Sequence, residues 1–248
     1  MVTLGTIAAT SCIVLVAAAL QRAVGFGFAL LAVPLMAFVV PTKSAVVIVF
    51  LNGTVTSTWL LIRLRHQVEW HTTRLLGAGT VVGAPAGVVI LTVVSAMTLR
   101  LTLGVVTCVA AAWIIISSRW SNRPVLTARA PRTVALGVAS GVLNTSLATN
   151  GPPLVYELRR SGFRDDGFRA TISAAFVISN VIGLPLLAAA GLVTTLDLSL
   201  AAASLVPCLI GIALGSWIST RMETAHFIWA ADLLLLATGA VTITKAIS

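Results

Sequence analysis

Residues 133–156 read TVALGVASGVLNTSLATNGPPLVY, a stretch without a charge. Before it lies 119–132, RWSNRPVLTARAPR, with four Arg, two Pro and no acid; after it lies 157–169, ELRRSGFRDDGFR, with Arg159, Arg160, Arg164 and Arg169. Basic residues collect in cytoplasmic loops, so both flanks belong on one side of a membrane. A single helix of this length would put them on opposite sides. Its middle (Asn144, Thr145, Ser146, Thr149, Asn150, Gly151, Pro152, Pro153) is made of residues that break helices or favour caps and turns. We therefore expect a hairpin of two short helices that enters and leaves from the same side.

The surroundings show why a membrane is the right medium. Only 9% of the 248 residues are charged and mean hydropathy is +1.05, whereas a soluble domain carries about 25% charged residues. Segments 4–20, 23–42, 44–62, 75–99, 101–118, 170–196 and 198–220 are also free of charge; runs of this length and composition read as membrane-spanning. A secreted domain, a nucleic-acid binder and a cytosolic enzyme are thereby excluded. The net charge of +9 follows the same logic, since Arg-rich loops placed inside take 12 of the 16 basic residues. Cys12, Cys108 and Cys208 lie in apolar runs and form no CxxC; they read as core hydrophobes, without a metal or disulfide. No cofactor is expected. The N-terminus lacks the basic flank of a cleavable signal peptide and reads as part of the mature fold.

The first half repeats the grammar of the second. Residues 4–41 are too long for one span and are interrupted by Gln21-Arg22-Ala23-Val24-Gly25-Phe26-Gly27, with Pro34-Leu35 following as Pro153-Leu154 follows the second break. Beyond the hairpins the halves align at an offset of 128: Asn52 on Asn180, Glu69 on Asp197, Gly83 on Gly211, Gly87 on Gly215. The expected fold is all-α and polytopic, about eight membrane segments in two inverted repeats, each a broken hairpin plus three spans. Residues 1–118 form the first repeat, 119–132 a basic cytoplasmic linker and 133–248 the second. Spans fall at 43–62, 75–94, 101–118, 170–190, 199–219 and 227–244; Glu69 is inside, Asp197 outside, and both termini are periplasmic. Inverted repeats with interrupted helices characterise secondary transporters.

The breaks also indicate the cargo. A helix that starts inside a membrane aims its N–H groups and positive dipole end at what sits there, which favours an anion. Backbone donors lie at Gly25, Phe26, Gly27 and Phe28 and at Asn150 and Gly151, and side-chain donors at Asn144, Thr145, Ser146 and Thr149, with Gln21 and Arg22 opposite. Asn52 and Asn180 sit mid-span. Each residue has a plainer role open to it. Gly25, Gly27 and Gly151 serve either packing or binding, Asn52 and Asn180 either interhelical bonding or substrate contact, and Arg22 either binds or snorkels to an interface. Gly83/Gly87 and Gly211/Gly215 are packing faces, and Pro34 and Pro153 set the breaks.

Gln21-Arg22-Ala23-Val24-Gly25-Phe26-Gly27-Phe28 with Pro34, then Asn150-Gly151-Pro152-Pro153-Leu154-Val155-Tyr156, then Phe168-Arg169-Ala170-Thr171, resemble the sulfite exporter TauE/SafE family over nearly the whole chain. Phe28 stands where a glycine is common in that family. The resemblance implies a bacterial inner-membrane permease for sulfite, sulfonates, sulfoacetate or related small anions. Its partners are then the anion and the lipid bilayer, not nucleic acid; a coupling proton or sodium ion and a homo-oligomer stay open. An anion-selective channel built from half-helices is the alternative. An intramembrane hydrolase would need a base paired with a nucleophile at depth, which the sequence does not offer; no enzyme is expected.

Overall fold

The computed structural model describes residues 3–118, 129–221 and 236–244. Most of the basic linker (119–128) and the first part of the last expected span (227–235) lie outside the described residues. The first half forms α1 (Leu4–Val24), α2 (Phe28–Met36), α3 (Thr42–Leu64), α4 (Trp70–Val93) and α5 (Ala96–Ser118). The second forms α6 (Ala130–Leu147), α7 (Gly151–Arg160), α8 (Asp165–Ala189), α9 (Thr195–Ala203) and α10 (Leu205–Arg221), with 236–244 also helical. Among the described residues there is no strand. Among the described residues α1, α3, α4 and α8 are long and apolar enough to cross a membrane, and α9 with α10, bent by 42°, is a fifth where the pair counts as one span. The polarity is that of a lipid-facing protein. Val81, Val82 and Val93 on α4, Val109 on α5 and Val206 on α10 are exposed, while Gln21, Asn52, Asn144, Glu157, Asn180 and Asp197 are buried, the reverse of a soluble domain.

Both breaks occur near where the sequence places them, but with unequal arms. α1 has 21 residues and α6 has 18, against 9 for α2 and 10 for α7. At 1.5 Å per residue each hairpin is one helix of membrane length followed by a half-length one, not two short helices. The reason is local. Asn144, Thr145 and Ser146 stay helical because the hydroxyls of Thr145 and Ser146 bond back to the Gly141 and Val142 carbonyls, as helical Ser and Thr can. The chain turns only at 148–150. Pro34 does not set the first break either: it is the seventh residue of α2, whereas Pro152 and Pro153 occupy the first turn of α7.

Left-handed residues make the turns: Gly25 and Gly27 in the first and Ala148 in the second. Gly25 (φ 94°) closes α1 by donating to the Gln21 carbonyl, and Ala148 (φ 55°) closes α6 by donating to the Asn144 carbonyl at 2.7 Å. Gly25 and Ala148 are 123 apart, as are the starts of α2 and α7 at Phe28 and Gly151. The hairpins thus correspond at an offset of 123, while the glycine pairs of α4 and α10 keep 128.

Packing between the halves is reciprocal. α1 lies on α10 and α6 lies on α4, with α3 against α8 between them. A Cβ added to Gly83 or Gly87 would strike the carbonyls of Val138 or Val142; one added to Gly211 or Gly215 would strike those of Leu15 or Ala19. These glycines are packing faces, as their spacing suggests. The two sides of the bundle differ in charge. At one, Arg132 pairs with Glu157 at 2.9 Å, the Glu69 N–H donates to Thr171 Oγ1, and Arg169 Nη2 donates to the Ala23 carbonyl. At the other, Arg100 holds Thr42 Oγ1 and the Ala37 carbonyl, and Lys43 the Thr92 carbonyl. The start of α6 and the end of α7 therefore share the Arg-rich end. The aligned acids both cap the fourth helix of their half: Glu69 accepts from the N–H of His71 and Thr72, and Asp197 forms a capping box with Thr194. The bend falls at Ser204 because Pro207, in the first turn of α10, cannot donate to Ala203 and interrupts the ladder there.

Candidate functional site

The two breaks face one another. A Cβ on Gly151 would contact the Phe26 ring at 4.0 Å, and a cavity of about 40 Å³ lies between the breaks, α3 and α8. Gln21, Gly27, Asn144, Asn150, Gly151 and Asn180 line it, joined by Thr149, Ser57, Gly53 and the side chains of Phe28, Phe50 and Phe176.

The local structure dictates what the walls offer. α2 starts at Phe28, and the first helical bond found is Leu31 N–H to the Gly27 carbonyl. That leaves the N–H groups of Phe28, Ala29 and Leu30 without partners inside the helix, and all three residues line the cavity. α7 also starts at the cavity. Pro152 and Pro153 have no N–H to give, so Gly151 alone supplies a first-turn donor. Side chains take the place of the missing ones: Thr149 Oγ1 and Asn150 Nδ2 are buried and have no partner among the described residues. Leaving a buried polar atom unbonded costs about 1–3 kcal/mol, a cost that a ligand accepting from both would remove.

The remaining polar walls are already engaged. Gln21 Nε2 donates to Ser57 Oγ at 3.0 Å and its Oε1 accepts from Thr56 Oγ1 at 2.7 Å. Asn144 Nδ2 donates to Asn180 Oδ1, and Asn180 Nδ2 donates to Thr54 Oγ1. These bonds fix α1 to α3, α6 to α8 and α8 to α3 around the space.

The other expected site residues face elsewhere. Arg22 Nε donates to Ser216 Oγ on α10 at 2.9 Å, and its guanidinium lies 5.3 Å from the Trp59 ring centroid. Thr145 and Ser146 spend their hydroxyls on carbonyls, Thr145 on Ala84 as well. Asn52 Nδ2 donates to the Ile48 carbonyl and Ser204 Oγ at the α9–α10 bend. Gly25 and Phe26 belong to the turn beneath the cavity; Phe26 meets Phe168 edge-on, centroids 6.2 Å apart, and the Gly25 turn lies against Arg169. Ser57, Gly53, Phe50 and Phe176 line the cavity without having been singled out in the sequence. Residues spaced 50, 53 and 57 share one face of α3, a signal that becomes readable once that face is known to meet the breaks.

Residues 11–242 match the family model for the sulfite exporter TauE/SafE. No curated protein and no solved structure matches the chain.

Proposed function

Because this chain belongs to the sulfite exporter TauE/SafE family, we propose that it is a secondary transporter of small organic or sulfur-containing anions such as sulfite, sulfonates or sulfoacetate. It works in the bacterial inner membrane, with about eight membrane segments, both termini periplasmic, and no chemistry done on the cargo. The observation that carries the reading is the meeting of two half-helix N-termini, α2 and α7, at one cavity with unpartnered donors at Thr149 and Asn150. Such termini attract anions, and their place at a repeat interface is the usual design of secondary carriers.

The reciprocal packing supports alternating access. α1 packs on α10 and α6 on α4, while Gln21 ties α1 to α3 and Asn144 ties α6 to Asn180 of α8. Rocking these interlocked bodies in opposite senses, as two inverted repeats allow, would open the cavity to one side and then the other. The Phe26–Phe168 contact stands between the cavity and the Arg-rich end and would part when that side opens. Counterflow in proteoliposomes tests the reading: unlabelled sulfite trapped inside should drive transient, saturable accumulation of labelled sulfite. Flux without counterflow would mean a channel, and absence of anion flux would remove the reading. Cysteines near Asp197 and Glu69 should label from outside and inside respectively; labelling from one side would remove the inverted repeat.

A further inference from the structure

We infer that the cavity is built for a singly charged oxyanion and rejects a doubly charged one. This deepens the transport reading above, rests on it and narrows its cargo: hydrogensulfite and monosulfonates fit, whereas sulfoacetate and the sulfite dianion carry a second charge and do not.

Among the described residues, those lining the cavity carry no full charge. The nearest guanidinium groups are committed elsewhere: Arg22 to Ser216 and the Trp59 ring, Arg169 to the Ala23 carbonyl and Asp166. What faces the cavity as positive potential is therefore the N-terminal end of α2 and that of α7. A full helix N-terminus is equivalent to roughly half an elementary charge, and α7 falls short of that because two prolines remove N–H groups from its first turn, so the two together supply at most about one charge. The hydrogen-bond donors agree with this amount: three N–H groups on α2, one on Gly151, and the two unpartnered side-chain donors of Thr149 and Asn150, both at least nine-tenths buried. Those suffice to surround three oxygens. The remaining wall is apolar, the rings of Phe28, Phe50 and Phe176, and offers nothing to a fourth charged oxygen.

The cost of removing an ion from water rises with the square of its charge, and an uncompensated charge in a dry site costs several kcal/mol. One unit of positive potential balances a monoanion whose uncharged side rests on the aromatic wall. A dianion would bring a second charge with no counterpart. Methanesulfonate and sulfate form a near-isosteric pair for this purpose, since a methyl replaces one charged oxygen.

The test measures binding of each to the purified full chain in nanodiscs at one ionic strength and one mildly acidic pH, by competition against labelled sulfite, which is then mostly the singly charged hydrogensulfite. Methanesulfonate should compete at least roughly tenfold more tightly than sulfate, a ratio equivalent to about 1.4 kcal/mol. Asn150→Lys adds a fixed charge beside the α7 N-terminus and should shift the ratio toward sulfate by tenfold or more. Should that variant not fold, the wild-type ratio decides alone. Sulfate binding as tightly as methanesulfonate overturns the inference while leaving anion transport standing; a labelled sulfite that does not bind overturns both.

Discussion

Thr149→Val separates ligand binding from stability because the two should move in opposite directions. The Thr149 hydroxyl is buried in the cavity wall, 1% exposed, and has no hydrogen-bond partner. Valine keeps the shape and β-branching and removes only the oxygen. The empty protein then loses no bond and sheds a desolvated hydroxyl, which is worth about 1–3 kcal/mol. The liganded protein loses a bond to a charged group, about 1.5–3 kcal/mol, or roughly ten- to a hundredfold in affinity. Thermal unfolding of the purified variant, with and without sulfite, reads both effects. The midpoint without ligand should rise, and the sulfite concentration needed for a given further shift should increase by one to two orders of magnitude. A lower midpoint without ligand would mean that the hydroxyl has a protein partner. An unchanged sulfite response would mean that it does not face the ligand.

Three more perturbations address the frame around the site. Ala148→Gly relieves a left-handed alanine and should stabilise the fold by about 1 kcal/mol net; Gly25→Ala should cost about 2 kcal/mol or more, because its Cβ also falls 2.9 Å from Arg169 Cγ. Chemical denaturation of the two variants compares them directly. Arg132→Ala strands the buried Glu157 carboxylate with Thr133 as its close donor. The loss should lie near the low end of about 3–5 kcal/mol, since the Arg132 side chain is 26% exposed, and Glu157→Leu in the same chain should restore much of it. Burial pushes the Glu69 carboxyl up, but the hydrogen bonds from Thr72 and His71 and the charge of His71 outweigh it and hold it below its ordinary value of 4.5. A carboxylate with a lowered folded-state pKa stabilises fully above its unfolded value and loses that contribution as pH falls through the folded one. Glu69→Gln should therefore flatten the acid limb of a melting-temperature profile below pH 4.5.

The positions of both breaks were readable in the sequence because helix breaking is local: Gly25 and Gly27 permit left-handed backbone, and Asn150-Gly151-Pro152-Pro153 cannot continue α6. The arm lengths were not, because whether Asn144, Thr145 and Ser146 break or continue a helix depends on the carbonyls their side chains find. The azimuth of a side chain was hidden for the same kind of reason. Gln21 and Arg22 are neighbours, but successive residues turn by about 100° around a helix. With Gln21 bonded to α3 beside the cavity, Arg22 is carried round to Ser216 and Trp59. A fixed alignment offset concealed the match of Gly25 with Ala148, since the hairpins and the glycine faces repeat at different spacings. Thr149 and Asn150 stood out as polar residues in an apolar run; that they lack partners is a property of packing alone.

The interlock of α1 with α10 also sets an order of assembly. α6 is made after α4 and finds its partner already in place. α1 meets α2 and α3 early, but the helix that interlocks with it, α10, appears only some 180 residues later, roughly ten to forty seconds at ordinary rates of synthesis. For that interval the Leu15 and Ala19 carbonyls that receive Gly211 and Gly215 have no counterpart, and Arg22 is without Ser216. Assembly is thus lopsided in time although the interlock is reciprocal in space: the second hairpin closes on existing structure, and the first, with half of the cavity, waits for nearly the last helix to leave the ribosome.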